Sequence, residues 1–169
     1  MKNDVTADRP FKQVDVFTEL DFAGHPTIGT AHAALEGGLV ENPSSFSMDC
    51  RLGRIDLRQE AGLIWARVPA PKQLYAELDE AALSAALGGE QPAEPLLFDI
   101  GPVWLVGRLD SVAALRRLGP RWDQLAAFTR ELGDSTGLVL YAFTDEDGIE
   151  VRAFAPAEGV NEDPVCGSG

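Results

Sequence analysis

Two short segments hold the residue types that small-molecule chemistry needs. They are Phe22-Ala23-Gly24-His25-Pro26-Thr27-Ile28-Gly29-Thr30 and Glu162-Asp163-Pro164-Val165-Cys166-Gly167-Ser168-Gly169. Each follows a strand-like run and sets glycine beside small polar side chains where a helix would begin. The first N–H groups of a helix have no partner within it, and the helix dipole adds about half a positive charge at that end. Such an end attracts a carboxylate or phosphate, and glycine lets the ligand come close to the backbone. Two such ends facing each other would grip one small acid. With 14 Lys+Arg against 27 Asp+Glu the net charge is −13, so a carboxylate ligand would depend on local donors of this kind. Plainer readings fit the same residues. The first segment is also what a proline-started core helix with turn glycines looks like, and Asp163-Pro164 is also an ordinary helix cap.

Within these segments His25 sits at the expected helix start, where a ligand can reach it. His32 is seven residues on, sharing a face with Gly29 and Glu36, and reads as a packed or surface residue. Cys166 precedes Gly167-Ser168-Gly169 at the second expected helix start, a setting that favours thiolate. A thiolate there is suited to taking a proton alpha to a carboxylate, and a small, inert, partly buried cysteine is the alternative. Cys50 falls in a strand-like run and reads as core. Gly101-Pro102-Val103-Trp104 reads equally as pocket lining or as a turn before a strand.

The elements that must position these segments follow from periodicity and punctuation. Phe11 to Phe17 alternates apolar and polar as a strand. A helix is expected from Pro26–Ile28 to about Glu36, ended by Gly37-Gly38. Ser45–Cys50, Arg54–Gln59 and Leu63–Val68, separated at Gly53 and Gly62, predict an antiparallel meander. Asp79 to Leu87 predicts a short helix, Gln91–Pro95 a loop, and Val103–Val106 a strand. Asp110 is the expected cap of a helix over Ser111–Leu118, with another from Arg121 to Leu132. Gly137–Phe143 and Ile149–Ala155 predict a hairpin turned at Asp147-Gly148. Strands and helices mix without regular βαβ alternation, so the fold class is α+β with mostly antiparallel sheet.

Composition narrows the function classes. A chain of 169 residues is one domain or two small ones, with 45% hydrophobic residues to build a core. The acidic balance argues against nucleic acid and against anionic membrane surfaces as partners. No run approaches the ~20 apolar residues of a spanning helix, and the start, Met1-Lys2-Asn3-Asp4, lacks a signal-peptide core. Two cysteines make no disulfide scaffold, so a reducing cytoplasm is expected. Two histidines leave no multi-histidine metal site.

Taken together the segments resemble the phenazine-biosynthesis PhzF-like family, which shares its fold with diaminopimelate epimerase. Phe11-Lys-Gln-Val-Asp-Val-Phe-Thr18 looks like that family's first strand. Glu19-Leu-Asp-Phe-Ala-Gly-His-Pro-Thr-Ile-Gly-Thr-Ala31 matches its Gly-His-Pro motif. Val151-Arg-Ala-Phe-Ala-Pro156 with Glu162-Asp-Pro-Val-Cys-Gly-Ser-Gly169 matches its Glu-Asp-Pro-Val-x-Gly-Ser motif. The resemblance implies two similar halves, each wrapping mostly antiparallel sheet around a central helix, with the ligand between them. The halves are expected at residues 1–92 and 93–169. The family's better-known members move a proton on a small carboxylate substrate without a cofactor. By resemblance, Gly24, His25, Pro26 and Thr27 meet the substrate, Asp163 assists at the reacting end, and Gly167 and Ser168 form the carboxylate-binding turn. Cys166 stands where many members have threonine. Related epimerases and proline racemases carry a catalytic thiol in a Cys-Gly-(Ser/Thr)-Gly turn, but the position of the usual partner cysteine falls near Ala23.

The resemblance lapses at two places. The family's acid/base glutamate, in an Asn-Leu-Ser-Glu-Thr type motif, has no counterpart; the chain passes from Thr18 to Glu19 where the family has a few dozen more residues. Family elements beyond Gly169 have none either, so a helix begun near Gly167 would lack a body. The expectation is therefore a cofactor-independent isomerase on an incomplete or rearranged chain. The alternatives are a carboxylate-binding or interaction remnant without turnover, and a thiol-based epimerase or racemase using Cys166. A chain lacking its last central helix would expose apolar sheet, so a homodimer is expected.

Overall fold

The computed structural model describes residues 22–68, 70–164 and 166–167. The expected strand over 11–17, the Thr18–Glu19 junction and Ser168 lie outside the described residues. The chain forms two compact units, residues 1–69 and 70–169.

In the first unit, helix α1 (Gly24–Glu36) precedes three strands, β1 (Phe46–Cys50), β2 (Gly53–Glu60) and β3 (Leu63–Ala66), which form an antiparallel sheet in that order. The expected meander is present. Its tight β2–β3 turn is Ala61-Gly62, both at positive φ (51° and 79°), the conformation whose twist suits a two-residue hairpin. Alternation decides the faces. Met48, Ile55 and Leu57 are buried, and Met48 and Leu57 pack with Ala31 of α1. The helix begins two residues before the expected start. Pro26 is its third residue rather than its first, which costs nothing because that N–H would have no helical partner.

The second unit holds β4 (Lys72–Leu74), α2 (Glu80–Ala86), β5 (Ala93–Asp99), β6 (Val103–Arg108), α3 (Val112–Arg117), α4 (Trp122–Glu131), β7 (Ser135–Phe143), β8 (Ile149–Ala155) and, after a 3-10 turn at Pro156–Glu158, β9 (Val160–Asp163). Its six strands lie in chain order, and every neighbour is antiparallel except the central β6–β7 pair. β4 hydrogen-bonds to β5, and Leu83, Ala86 and Leu87 of the α2 region are buried among Leu105, Leu125 and Leu138, so residues 70–92 go with the second unit.

The helices cover one face of this sheet. Leu105, Leu138, Leu140 and Phe154 point into them and meet Leu83, Leu87, Leu115, Leu125 and Phe128. Trp104, Val139, Ala153 and Ala155 alternate onto the other face and cluster there. The Asp79 carboxylate accepts from the Ala82 N–H and caps α2. At α3 the cap is Ser111, whose hydroxyl accepts from Ala114 N–H, rather than Asp110.

Candidate active site

The first expected corner is the start of α1. Ala23 occupies the cap position in extended backbone and offers no side-chain acceptor, and the first turn carries no acidic residue. The Thr27 N–H reaches Ala23 O at 3.1 Å, and the fully buried Thr27 hydroxyl donates to the same oxygen at 2.7 Å. Pro26 has no N–H. The Gly24 and His25 amides, the first two of the helix, are left with no hydrogen-bond partner among the described residues. The His25 side chain is exposed beside them. His32 is a surface residue, 3.5 Å from Glu36 one turn on.

The second corner is built by β8 and β9. Ala153 pairs directly with Asp163, so their side chains share a face. Ala153 belongs to the cluster with Trp104, Val139 and Ala155, and the half-buried Cys166 packs against that cluster. Asp163 and Cys166 therefore lie on the sheet face away from the helices, the face that Trp104 also occupies. Glu162, one residue earlier, takes the helix side. There Arg152 Nε donates to Glu162 Oε1 and Nη2 to Oε2, both at 2.8 Å, while Nη1 donates to Leu115 O (2.9 Å) and Leu118 O (3.2 Å) at the end of α3. These bonds hold the Glu162 carboxyl below the usual carboxylate range, against the opposing pull of partial burial. A second pair, Arg116 Nε to Glu150 Oε1 at 2.7 Å, ties α3 to β8 and lowers the Glu150 carboxyl in the same way.

The sequence-derived candidates fall in two sets. Gly24, His25, Pro26 and Thr27 form the first turn of α1 in the first unit. Asp163, Cys166 and Gly167 follow one another at the end of β9 in the second unit. The expected helix at Gly167 is not present among the described residues; Gly167 is a bend. Sequence reasoning missed the pairing of Arg152 with Glu162, because ten residues of separation hide a pair that meets only after the chain reverses. It also missed an open cavity of about 520 Å³ in the first unit, lined by Ser44, Ser45, Asp56, Arg58, Trp65 and Arg67 among others. Arg58 lies over the Trp65 ring there, at 5.6 Å. Among the described residues no group of three or more His, Cys, Asp or Glu could hold a metal ion, and no helix is long and apolar enough to cross a membrane.

Two mostly antiparallel sheets, one with a helix against it and one covered by helices, define an α+β protein of the diaminopimelate epimerase-like class. The fold resembles that of a Bacillus anthracis phenazine biosynthesis protein of the PhzF family, with a TM-score of 0.69 at 21% identity over 88% of this chain and 54% of that one. The sequence model described as "Phenazine biosynthesis-like protein" matches residues 10–169, and the chain belongs to that family. It is 32% identical to antisense-enhancing sequence 1 of Schizosaccharomyces pombe, over 97% of this chain and 60% of the relative. It is also 32% identical to trans-2,3-dihydro-3-hydroxyanthranilate isomerase of Pseudomonas aeruginosa, over 92% of this chain and 56% of the relative. The chain thus spans little more than half the length of these relatives. Homologues named as isomerases support a general isomerase function for the family.

Proposed function

We propose that this chain serves cofactor-independent proton transfer on a small carboxylate metabolite. The start of α1 carries the reading: among the described residues, the Gly24 and His25 amides have no hydrogen-bond partner, and neither a capping side chain nor a first-turn acidic group takes the place a carboxylate would occupy. A bound carboxylate accepts those two N–H groups and gains from the helix dipole. His25 and Asp163 are the groups assigned to the proton, which leaves one substrate carbon and returns at another with no change of oxidation state. The family resemblance assigns Gly167 and Ser168 to carboxylate binding as well. The 32% identity to a trans-2,3-dihydro-3-hydroxyanthranilate isomerase makes that compound the first substrate to try.

The test is incubation with that compound, and with small amino and hydroxy acids, in deuterated water, followed by proton NMR. Exchange of a carbon-bound proton supports the reading. Carboxylate binding without exchange favours the alternative, a ligand-binding remnant, which the lack of an Asn-Leu-Ser-Glu-Thr type motif supports. Neither binding nor exchange removes both. The thiol reading draws on Cys166 sharing a sheet face with Asp163; exchange that survives Cys166→Ser undiminished eliminates it.

Self-association belongs to the same proposal. The sheet face of the second unit that faces away from the helices carries Leu96, Phe143, Ile149 and Val151, all well exposed, with Phe143 at 61%. Phe143, Ile149 and Val151 neighbour one another on β7 and β8, and exposed apolar surface of this kind favours a second copy of the chain. Light scattering at micromolar concentration is expected to give a dimer mass, and Phe143→Asp to give a monomer. A monomeric parent protein would refute the dimer.

A further inference from the structure

We propose that Arg152 is the positioning residue for Asp163. The inference rests on reading Asp163 as the proton-handling group. Among the described residues β9 is a four-residue edge strand, Val160–Asp163, held by two registered pairs to β8 with an irregularity between them. Short, irregular edge strands fray easily, and a slip of one residue in a strand sends each side chain to the opposite face. Such a slip would bring Glu162 to the open face in place of Asp163.

The Arg152 guanidinium opposes this from the helix side. It grips both oxygens of Glu162 and, with its remaining nitrogen, two carbonyls at the end of α3, which is packed into the core through Ala114 and Leu115. The guanidinium lies over the Phe154 ring, its carbon 5.0 Å from the centroid, so the head is itself fixed. Its side chain is only 20% exposed, and a largely desolvated cation holds tightly to acceptors that satisfy it. The planar fork is what the geometry uses. Lysine in its place carries the charge but cannot span two carboxylate oxygens and two carbonyls at once.

The experiment measures amide hydrogen exchange and proton-transfer rate in Arg152→Lys, in Glu162→Gln and in the double variant. Glu162 is partly exposed at the edge of the sheet, so its amide variant keeps the test open if the arginine variant fails to fold. Protection of the amides at 160–163 is expected to fall about tenfold in each single variant, the scale of losing a charge-assisted hydrogen bond, while β6 and α4 amides stay protected. The double variant is expected to be no worse than the worse single. The proton-transfer rate is expected to fall about tenfold or more, since small displacements of a reacting group are costly. In an Asp163→Asn background Arg152→Lys is expected to have no further effect, whereas simple loss of folded protein lowers both rates alike. Unchanged protection at 160–163, additive losses in the double variant, or a rate unaffected by loosened β9 each overturn the proposal. If Asp163→Asn itself leaves the rate unchanged, the reading of Asp163 falls, and the role assigned to Arg152 falls with it even where the exchange data show the clamp.

Discussion

Asp163→Asn is expected to lower the rate of solvent-proton exchange into bound substrate by at least a hundredfold while leaving the fold intact. A positioned acid/base group contributes about 10²- to 10⁴-fold. Asparagine keeps the size of the side chain and removes its capacity to take and return a proton. The strand pairing of Asp163 opposite Ala153 runs through backbone groups that the substitution does not touch. The Arg152–Glu162 clamp is also preserved. NMR exchange rates in deuterated water, with thermal unfolding as control, check this. A variant that exchanges at the parental rate and melts with the parent takes Asp163 out of the chemistry.

Gly137→Ala is expected to destabilise the second unit by about 3 kcal/mol or more, the upper range for overpacking a close-packed interior. The reason is steric. A Cβ built on Gly137 in β7 would lie 2.0 Å from Phe154 O and 3.0 Å from Ala155 Cα, both backbone atoms of β8 that no side-chain rotation can move. β8 would have to shift as a strand, and it also carries Arg152 and pairs with β9. Gly107 makes the useful contrast. A Cβ there meets the ring Cβ of Pro92 at 2.7 Å, which a shift of that loop residue must relieve, and a rotatable Leu140 methyl at 3.1 Å, so Gly107→Ala should also destabilise but cost less than displacing a paired strand. Urea unfolding of both variants measures the difference. A Gly137→Ala protein within about 1 kcal/mol of the parent would mean that β7 and β8 separate more easily than their packing indicates.

Much of this fold is legible from the sequence because local rules and the tertiary structure agree. Gly53 and Gly62 mark the meander, Asp79 caps α2, and Asp147-Gly148 turns β7 into β8 with Asp147 at a φ of 55°. The elements missed are those in which local rules mislead. β5 opens through Pro95, which breaks a regular strand, but the ladder is irregular between Ala93 and Leu96 and Glu94 adopts a φ of 45°, so the proline falls where no regular pairing is required. β9 reads Val-Asn-Glu-Asp and carries no apolar alternation. It is a strand because the edge of β8 offers it partners and Arg152 holds Glu162. The site shows the same division. Gly24, His25, Asp163 and Cys166 stand out by residue type, whereas the side of the sheet each occupies depends on pairing that no local pattern announces.

The parallel pairing at the centre of the six-stranded sheet has a consequence for how the second unit comes together. β4, β5 and β6 form one local ribbon, with α2 carried in the β4–β5 connection, and β7, β8 and β9 form another. The seam between β6 and β7 can zip only after residues 109–134, with both their helices, have collapsed in between. Assembly therefore ends with two preformed ribbons docking along Val103–Arg108 and Ser135–Tyr141, a non-local closure of the kind that limits folding speed. Until it closes, the most apolar strands in the chain present bare edges, and this is the interval in which chains made at high concentration would be lost to aggregation.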